Sequence, residues 1–264
     1  MTQIQNALLL SIVSSLCVSP LHAITEEEAW FKLAGEKARA NPAMAYVTNN
    51  PALPNVFIYG DSVSQGYTPR VRETLEGKAN VYRIPSNGWD TSAVIPHMER
   101  MKKGMSEHWH FTWDVIHFNA GLHDLKYLDK DRKYDTEYGT QVCSPEDYCA
   151  NLRKIFAYFK TIAPNSQIIF ATTTPVPEGA LGRICGDEKK YNAAALELLK
   201  EYPEIIINDL HSLVVSNLAW NARPGDVHYN VTGYNALGDQ VTHVIESIVT
   251  MRENSKRKKP KRKP

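Results

Sequence analysis

Cysteine is scarce: 4 residues in 264, with no Cys-x-x-Cys pair and no His-Glu-x-x-His run. That excludes a disulfide-dense scaffold and gives no foothold for a structural or catalytic zinc site, so neither metal nor cofactor is expected. Long apolar runs are missing too. The one leading stretch, from Ala7 to Pro20, falls short of the roughly 20 residues that a membrane span needs. There is no internal repeat and no Pro/Gly/Ser-rich linker, so one main domain is expected. Net charge is nearly absent, at +1, which argues against a strongly basic nucleic-acid-binding surface.

That neutrality is a cancellation. Residues 252–264 hold eight Lys or Arg and one Glu, leaving 22 basic against 28 acidic residues elsewhere, about −6. A block of like charge punctuated by Pro260 and Pro264 cannot bury apolar surface, and 252–264 is expected to be a disordered basic tail. The stretch between Lys256 and Lys263 suits weak contact with an anionic surface, or no partner at all. At the other end, an apolar run of about 7–15 residues closing on Leu21-His22-Ala23 reads as a secretory signal, cleaved after Ala23. The first six residues carry no Lys or Arg, so the amino terminus alone supplies positive charge there. A secreted or periplasmic protein with its domain over 24–251 follows. Its remaining cysteines, Cys143, Cys149 and Cys185, permit one disulfide and one free thiol, and spacing does not settle the pairing.

What the sequence does hold is alternation. Five short β-branched-rich runs, at residues 55–59, 80–84, 115–119, 167–173 and 204–208, are nearly continuous in hydrophobics, as strands buried on both faces are. Helical patterns over 69–77, 144–163, 188–202 and 232–250 lie between or after them, and 25–43 adds an amphipathic helix ahead of the first strand. Such alternation predicts an α/β protein: a three-layer α/β/α sandwich around a five-stranded parallel sheet. Residues 124–142, polar and rich in Lys, Asp and Tyr, form an insertion after the third strand, of the kind that shapes substrate access.

In open parallel sheets, ligands bind beyond the carboxyl ends of the strands. The polar clusters fall there. The first strand breaks into Gly60-Asp61-Ser62-Val63-Ser64. A serine at a Gly-containing turn into a helix is exposed at the sheet edge, where the helix N-terminus favours a developing negative charge. The second strand leads to Ser86-Asn87-Gly88-Trp89, the third to Gly121-Leu122-His123-Asp124, and a late loop reads Pro224-Gly225-Asp226-Val227-His228. Trp89, Asp90 and Glu178 are candidates for lining a pocket at the same edge, with Asp61 beside them. His117 lies within a strand and is expected to face the core.

These four blocks, in this order across residues 55–248, resemble those of the SGNH (GDSL-type) hydrolase superfamily, most nearly secreted bacterial members acting on esterified carbohydrate. The Gly-x-Ser-x-Gly elbow of the other large esterase fold is missing, since Ser64 stands at the final Gly position. The resemblance implies a flavodoxin-like fold, with Ser62 as nucleophile, His228 as general base and Asp226 orienting the imidazole. Backbone N–H groups of Ser62 and Gly88 and the His123 side chain would form the oxyanion hole. Two departures stand out: His123 replaces the usual Asn, and Asp226 lies two residues before His228 instead of three. An esterified carbohydrate is the expected substrate. The alternatives are a lipase or lysophospholipase on the same fold, and a non-catalytic carbohydrate-binding protein. The sequence leaves the oligomeric state open.

Overall fold

The computed structural model describes residues 23–258; the expected signal segment up to residue 22, and residues 259–264 of the expected tail, lie outside them. Five strands, β1 (Asn55–Tyr59), β2 (Asn80–Arg83), β3 (Val115–Asn119), β6 (Gln167–Ala171) and β7 (Ile206–Asn208), form one sheet in the order β2-β1-β3-β6-β7. All four pairings are parallel. The sheet order, with β1 beside β3 and the chain winding outward both ways, is the doubly wound arrangement expected from the alternation.

The pleat separates two helical layers. On one face His117 of β3 meets Tyr67, an edge-on ring contact at 6.0 Å, from α2 (Ser62–Thr74), which packs against α7 (Val231–Lys258). The next residue, Phe118, points the other way and meets Phe159 at 5.7 Å. Phe159 belongs to α4 (Pro145–Ile162), which packs on α5 (Glu188–Leu199), while α3 (Val94–Gly104) also touches α4. The stripe Tyr148, Leu152, Ile155, Phe156 and Phe159 of α4 is buried, as its helical spacing predicts. His117 is fully buried between Tyr67 and Asn208, and burial pushes its pKa down to about 3, so it is a neutral core residue.

Several boundaries differ from expectation for local reasons. Helix α2 begins at Ser62, not near Pro69, because Asp61 caps it by accepting from the Val63 N–H at 2.9 Å. Pro69 sits inside the helix. The first helix, α1 (Glu26–Ala34), is closed at its start by a reciprocal Thr25–Glu28 capping box but ends at Gly35, whose φ is +86°. Two short 3-10 turns, Glu36–Ala40 and Pro42–Met44, replace the rest of the expected helix. Strand β6 stops at Ala171, before the polar Thr172-Thr173-Thr174 run.

Helix α7 runs past the expected start of the tail, to Lys258. Arg252 is anchored, donating to the Asp114 carbonyl at 2.5 Å and the Asn165 carbonyl at 2.6 Å. The insertion is pinned by a two-stranded antiparallel ladder of β4 (Tyr127–Leu128) and β5 (Thr140–Gln141). Cys143, Cys149 and Cys185 are all free thiols, so the disulfide the sequence permitted does not form. No helix among the described residues is long and apolar enough to cross a membrane.

Candidate active site

The carboxyl edge of the sheet gathers the four blocks. Ser62 is the first residue of α2, directly after β1, so its N–H is among those at the helix start that have no intrahelical acceptor. Its Oγ lies 2.8 Å from His228 Nε2. On the far side of the ring, His228 Nδ1 lies 2.6 Å from Asp226 Oδ1. The same carboxylate oxygen accepts the His228 backbone N–H at 3.1 Å, closing a two-residue Asx-type turn. The short Asp226–His228 spacing is thus accommodated by a loop. Burial pushes the Asp226 carboxyl up, but bonds from the His228 ring and N–H and from Arg223 outweigh it, and its pKa is lowered. The ring's Nδ1 therefore carries the proton and Nε2 is free to accept one from Ser62.

This loop is held on both flanks. Asn221 Nδ2 donates to the Asp226 carbonyl at 2.8 Å and the Ala222 N–H to the His228 carbonyl at 2.9 Å. A cleft of about 960 Å³ runs beside it, lined by Val176, Glu178, Val215, Leu218, Arg223 and Gly225 among others. Glu178 is exposed on its wall.

The turn after β2 reaches the site through close backbone approach. The Gly88 N–H, expected to be an oxyanion donor, donates to the Gly60 carbonyl at 3.1 Å. A side chain on Gly88 would sit 2.6 Å from that oxygen, so only glycine fits. Trp89 follows with a φ of +55°, strained for a bulky residue, and its side chain is 50% exposed. The indole meets the His123 ring edge-on at 5.1 Å.

His123 itself is buried, 8% exposed, and its Nδ1 lies 3.1 Å from Lys126 Nζ. Burial, with Lys126 and Arg183 nearby, pushes its pKa down to about 3, so the ring is neutral. Two of the expected pocket residues serve the backbone instead. Asp61 is buried beneath the helix start, capping α2, and is not presented to a substrate. Asp90 accepts from the Ser92 N–H at 3.0 Å, ordering its own turn.

Two residues that sequence reasoning missed hold the arrangement together. Arg83, the last residue of β2, is fully buried, and burial lowers its pKa to about 9. Its guanidinium donates to the Ile84 and Ser86 carbonyls at 2.8 and 3.0 Å, to Ser64 Oγ at 2.9 Å and to the Gly60 carbonyl at 3.2 Å. It therefore clamps the serine turn to the Gly88 turn. Asp124, also fully buried, accepts the Thr91 N–H at 2.9 Å and joins the β3 block to the loop after β2. For Arg83 the signal available was a charge at the end of a strand; Asp124, five residues past β3, offered none of that kind.

Among the described residues, Asp90, Asp124 and Cys143 lie close enough to share a cation, with ligand atoms within 4.8 Å of one another. They fit one poorly. Burial raises Asp124 to about 7 and the Cys143 thiol to about 12, so deprotonating both is costly, and Thr91 already occupies Asp124.

No protein-family model matches the chain, and no curated protein does. Solved structures do. An acetyl xylan esterase superposes with a TM-score of 0.56 at 17% identity, covering 72% of this chain and 99% of its own. A lipase/acylhydrolase from Enterococcus faecalis gives 0.56 at 16% identity, over 74% and 96% of the two chains. An acetylxylan esterase from Geobacillus stearothermophilus gives 0.51 at 18%, over 73% and 94%. At these identities the likeness is one of fold. Together with the parallel sheet order, it gives this chain the fold of the SGNH (GDSL-type) hydrolases.

Proposed function

We propose that this chain is an exported serine ester hydrolase that removes small acyl groups, acetyl above all, from carbohydrate. The observation that carries the reading is the continuous relay from Ser62 Oγ to His228 Nε2 at 2.8 Å and from His228 Nδ1 to Asp226 at 2.6 Å. In that relay His228 takes the Ser62 hydroxyl proton as the oxygen attacks the ester carbonyl. The oxyanion of the tetrahedral adduct is met by the Ser62 N–H, by His123 and by the Gly88 N–H, which it shares with the Gly60 carbonyl. Asp226 stabilises the imidazolium, which then protonates the departing sugar oxygen as its bond to the acyl carbon breaks, releasing the free hydroxyl. Water, activated by the same histidine, releases the acyl group from Ser62.

Carbohydrate is supported by two things. Solved proteins with this fold include esterases of acetylated xylan. The exposed Trp89 also offers an apolar ring face beside His123, suited to stacking on a sugar. The apolar leading run supports export. Acetate release from acetylated polysaccharides and from p-nitrophenyl acetate should be lost in Ser62→Ala; undiminished turnover in that variant sinks the mechanism. A second reading, a lipase, is favoured by one feature, the cleft beside the His228 loop with Val176, Val215 and Leu218 in its wall. Activity rising along a series of longer acyl esters would select it.

A further inference from the structure

Lys126 is a buried cation, 8% exposed, one residue before β4, and among the described residues it forms no ion pair with a carboxylate. Its hydrogen-bond partner is a ring nitrogen, His123 Nδ1, at 3.1 Å. An ammonium has three donors and no acceptor, so in this pair Nδ1 must offer its lone pair. A neutral imidazole carries one N–H, and that hydrogen is then confined to Nε2, at the end of the ring away from Lys126. The indole of Trp89, edge-on at 5.1 Å, packs against the ring and restricts its rotation.

We propose that Lys126 is a positioning residue that locks His123 in its Nε2–H tautomer, making the ring an oxyanion donor where related folds use an amide. An amide needs no such device, because its donor and acceptor are fixed by covalent structure. An imidazole does, since the other tautomer would turn a lone pair toward the oxyanion and repel it. The inference rests on the hydrolase reading of the site, but its first consequence, the tautomer, is visible without substrate.

The groups around Lys126 decide when the lock holds. Asp61 from the turn after β1 and Asp90 from the loop after β2 favour its charge. Burial and Arg183, from the loop after β6, oppose it, and Lys126 is lowered to about 8. The rings of Trp89 and Tyr134 lie 6.0 and 5.5 Å from its Nζ, and His228 acts electrostatically on His123. Below about pH 8 the ammonium selects Nε2–H. Above it the amine can also accept, and the Nδ1–H form becomes accessible, so kcat should fall on the alkaline side.

The test uses the full chain with 15N-labelled histidine, the His123 ring signals being assigned by their loss in His123→Asn. Ring nitrogen shifts should report Nε2–H in the wild type at pH 7 and a tautomer mixture in Lys126→Met. On p-nitrophenyl acetate, Lys126→Met should lower kcat by about 10- to 100-fold, less than the loss of a whole oxyanion donor, with KM nearly unchanged. Lys126→Arg, which stays charged, should retain the tautomer and lose the alkaline fall. In a His123→Asn background, adding Lys126→Met should change kcat less than twofold. An Nδ1–H ring in the wild type, or an unchanged tautomer in folded Lys126→Met, overturns the proposal while leaving the hydrolase reading intact. Failure of Ser62→Ala to abolish turnover overturns the hydrolase reading and leaves the tautomer measurement to be judged by itself.

Discussion

Gly88→Ala puts the geometry of the oxyanion turn to a direct trial. The added methyl would lie 2.6 Å from the Gly60 carbonyl oxygen and 2.9 Å from the Tyr59 ring, while ordinary contact begins at 3.4 Å. The Gly88 and Gly60 turns must therefore part by about 0.8 Å. Gly60 cannot yield easily, because its carbonyl is also clamped by Arg83 at 3.2 Å. Most of the displacement falls on the Gly88 N–H and the Trp89 backbone. Misplacement on the scale of 1 Å costs on the order of 100-fold in rate, and overpacking costs about 1–3 kcal/mol of stability. Gly77→Ala is the matched control. Gly77 has a φ of +69° and open space around it, so alanine there is strained in the backbone yet meets no neighbour. It should lose on the order of 1 kcal/mol with kcat unchanged. Both variants are measured by urea unfolding and by kcat and KM on p-nitrophenyl acetate. A Gly88→Ala enzyme that matches the Gly77→Ala control in kcat would refute the assignment of this turn to the oxyanion hole.

Two further outcomes follow from carboxylates, one half-buried and one buried. Asp226→Asn keeps an acceptor for the His228 backbone N–H but withdraws the charge that stabilises the imidazolium, so kcat on p-nitrophenyl acetate should fall roughly 10³- to 10⁴-fold with little change in melting temperature; a loss under tenfold would count against Asp226. Asp124 is raised to about 7 in the folded chain, against about 3.9 unfolded, so the folded state keeps a proton that the unfolded state has released. Stability attributable to this group is therefore full below about pH 4, falls as pH rises towards 7 and is flat beyond, by at most about 4 kcal/mol. Asp124→Asn cannot titrate, and unfolding at pH 4.5 and 7.5 should show the variant gaining on the wild type as pH rises; parallel behaviour would contradict the shift.

The sheet was legible because burial on both faces leaves continuous apolar runs. The ranges of β1 and β3 match those runs to the residue. The start of the 144–163 helical pattern held, because Ser144 caps it, its hydroxyl accepting from the Asp147 N–H at 3.1 Å. The 69–77 pattern began too late, because Pro69 sits inside a helix that Asp61 caps and that begins at Ser62, seven residues before the expected start. Ser62, His228 and Asp226 are brought together at the distances such chemistry requires; the Ser62 block was visible because it follows a strand, the His228 block because it stands in a Pro-Gly loop ahead of a helix. Asp61 misled because an acidic residue in a loop caps its own helix as readily as it meets a ligand. The reach of Arg83 and Lys126 was invisible, since composition marks a charged residue as solvated and only the packed strand ends show it buried.

Arg83, Asp124 and Lys126 share a physical oddity that explains why the site is shaped as it is. Each is buried, and among the described residues none forms an ion pair. Such charges are costly, and well-packed apolar replacements often leave stability unchanged or improve it. What these three do instead is fix directions: Arg83 the carbonyls of Gly60 and Ser86, Asp124 the Thr91 turn, Lys126 the His123 ring. Arg83 ends β2, while Asp124 and Lys126 lie in the segment between β3 and β4. The site is thus braced by buried charged groups that fix the turns around it. Substitutions at these positions should therefore damage rate more than stability, the reverse of the pattern for ordinary core residues such as Phe118.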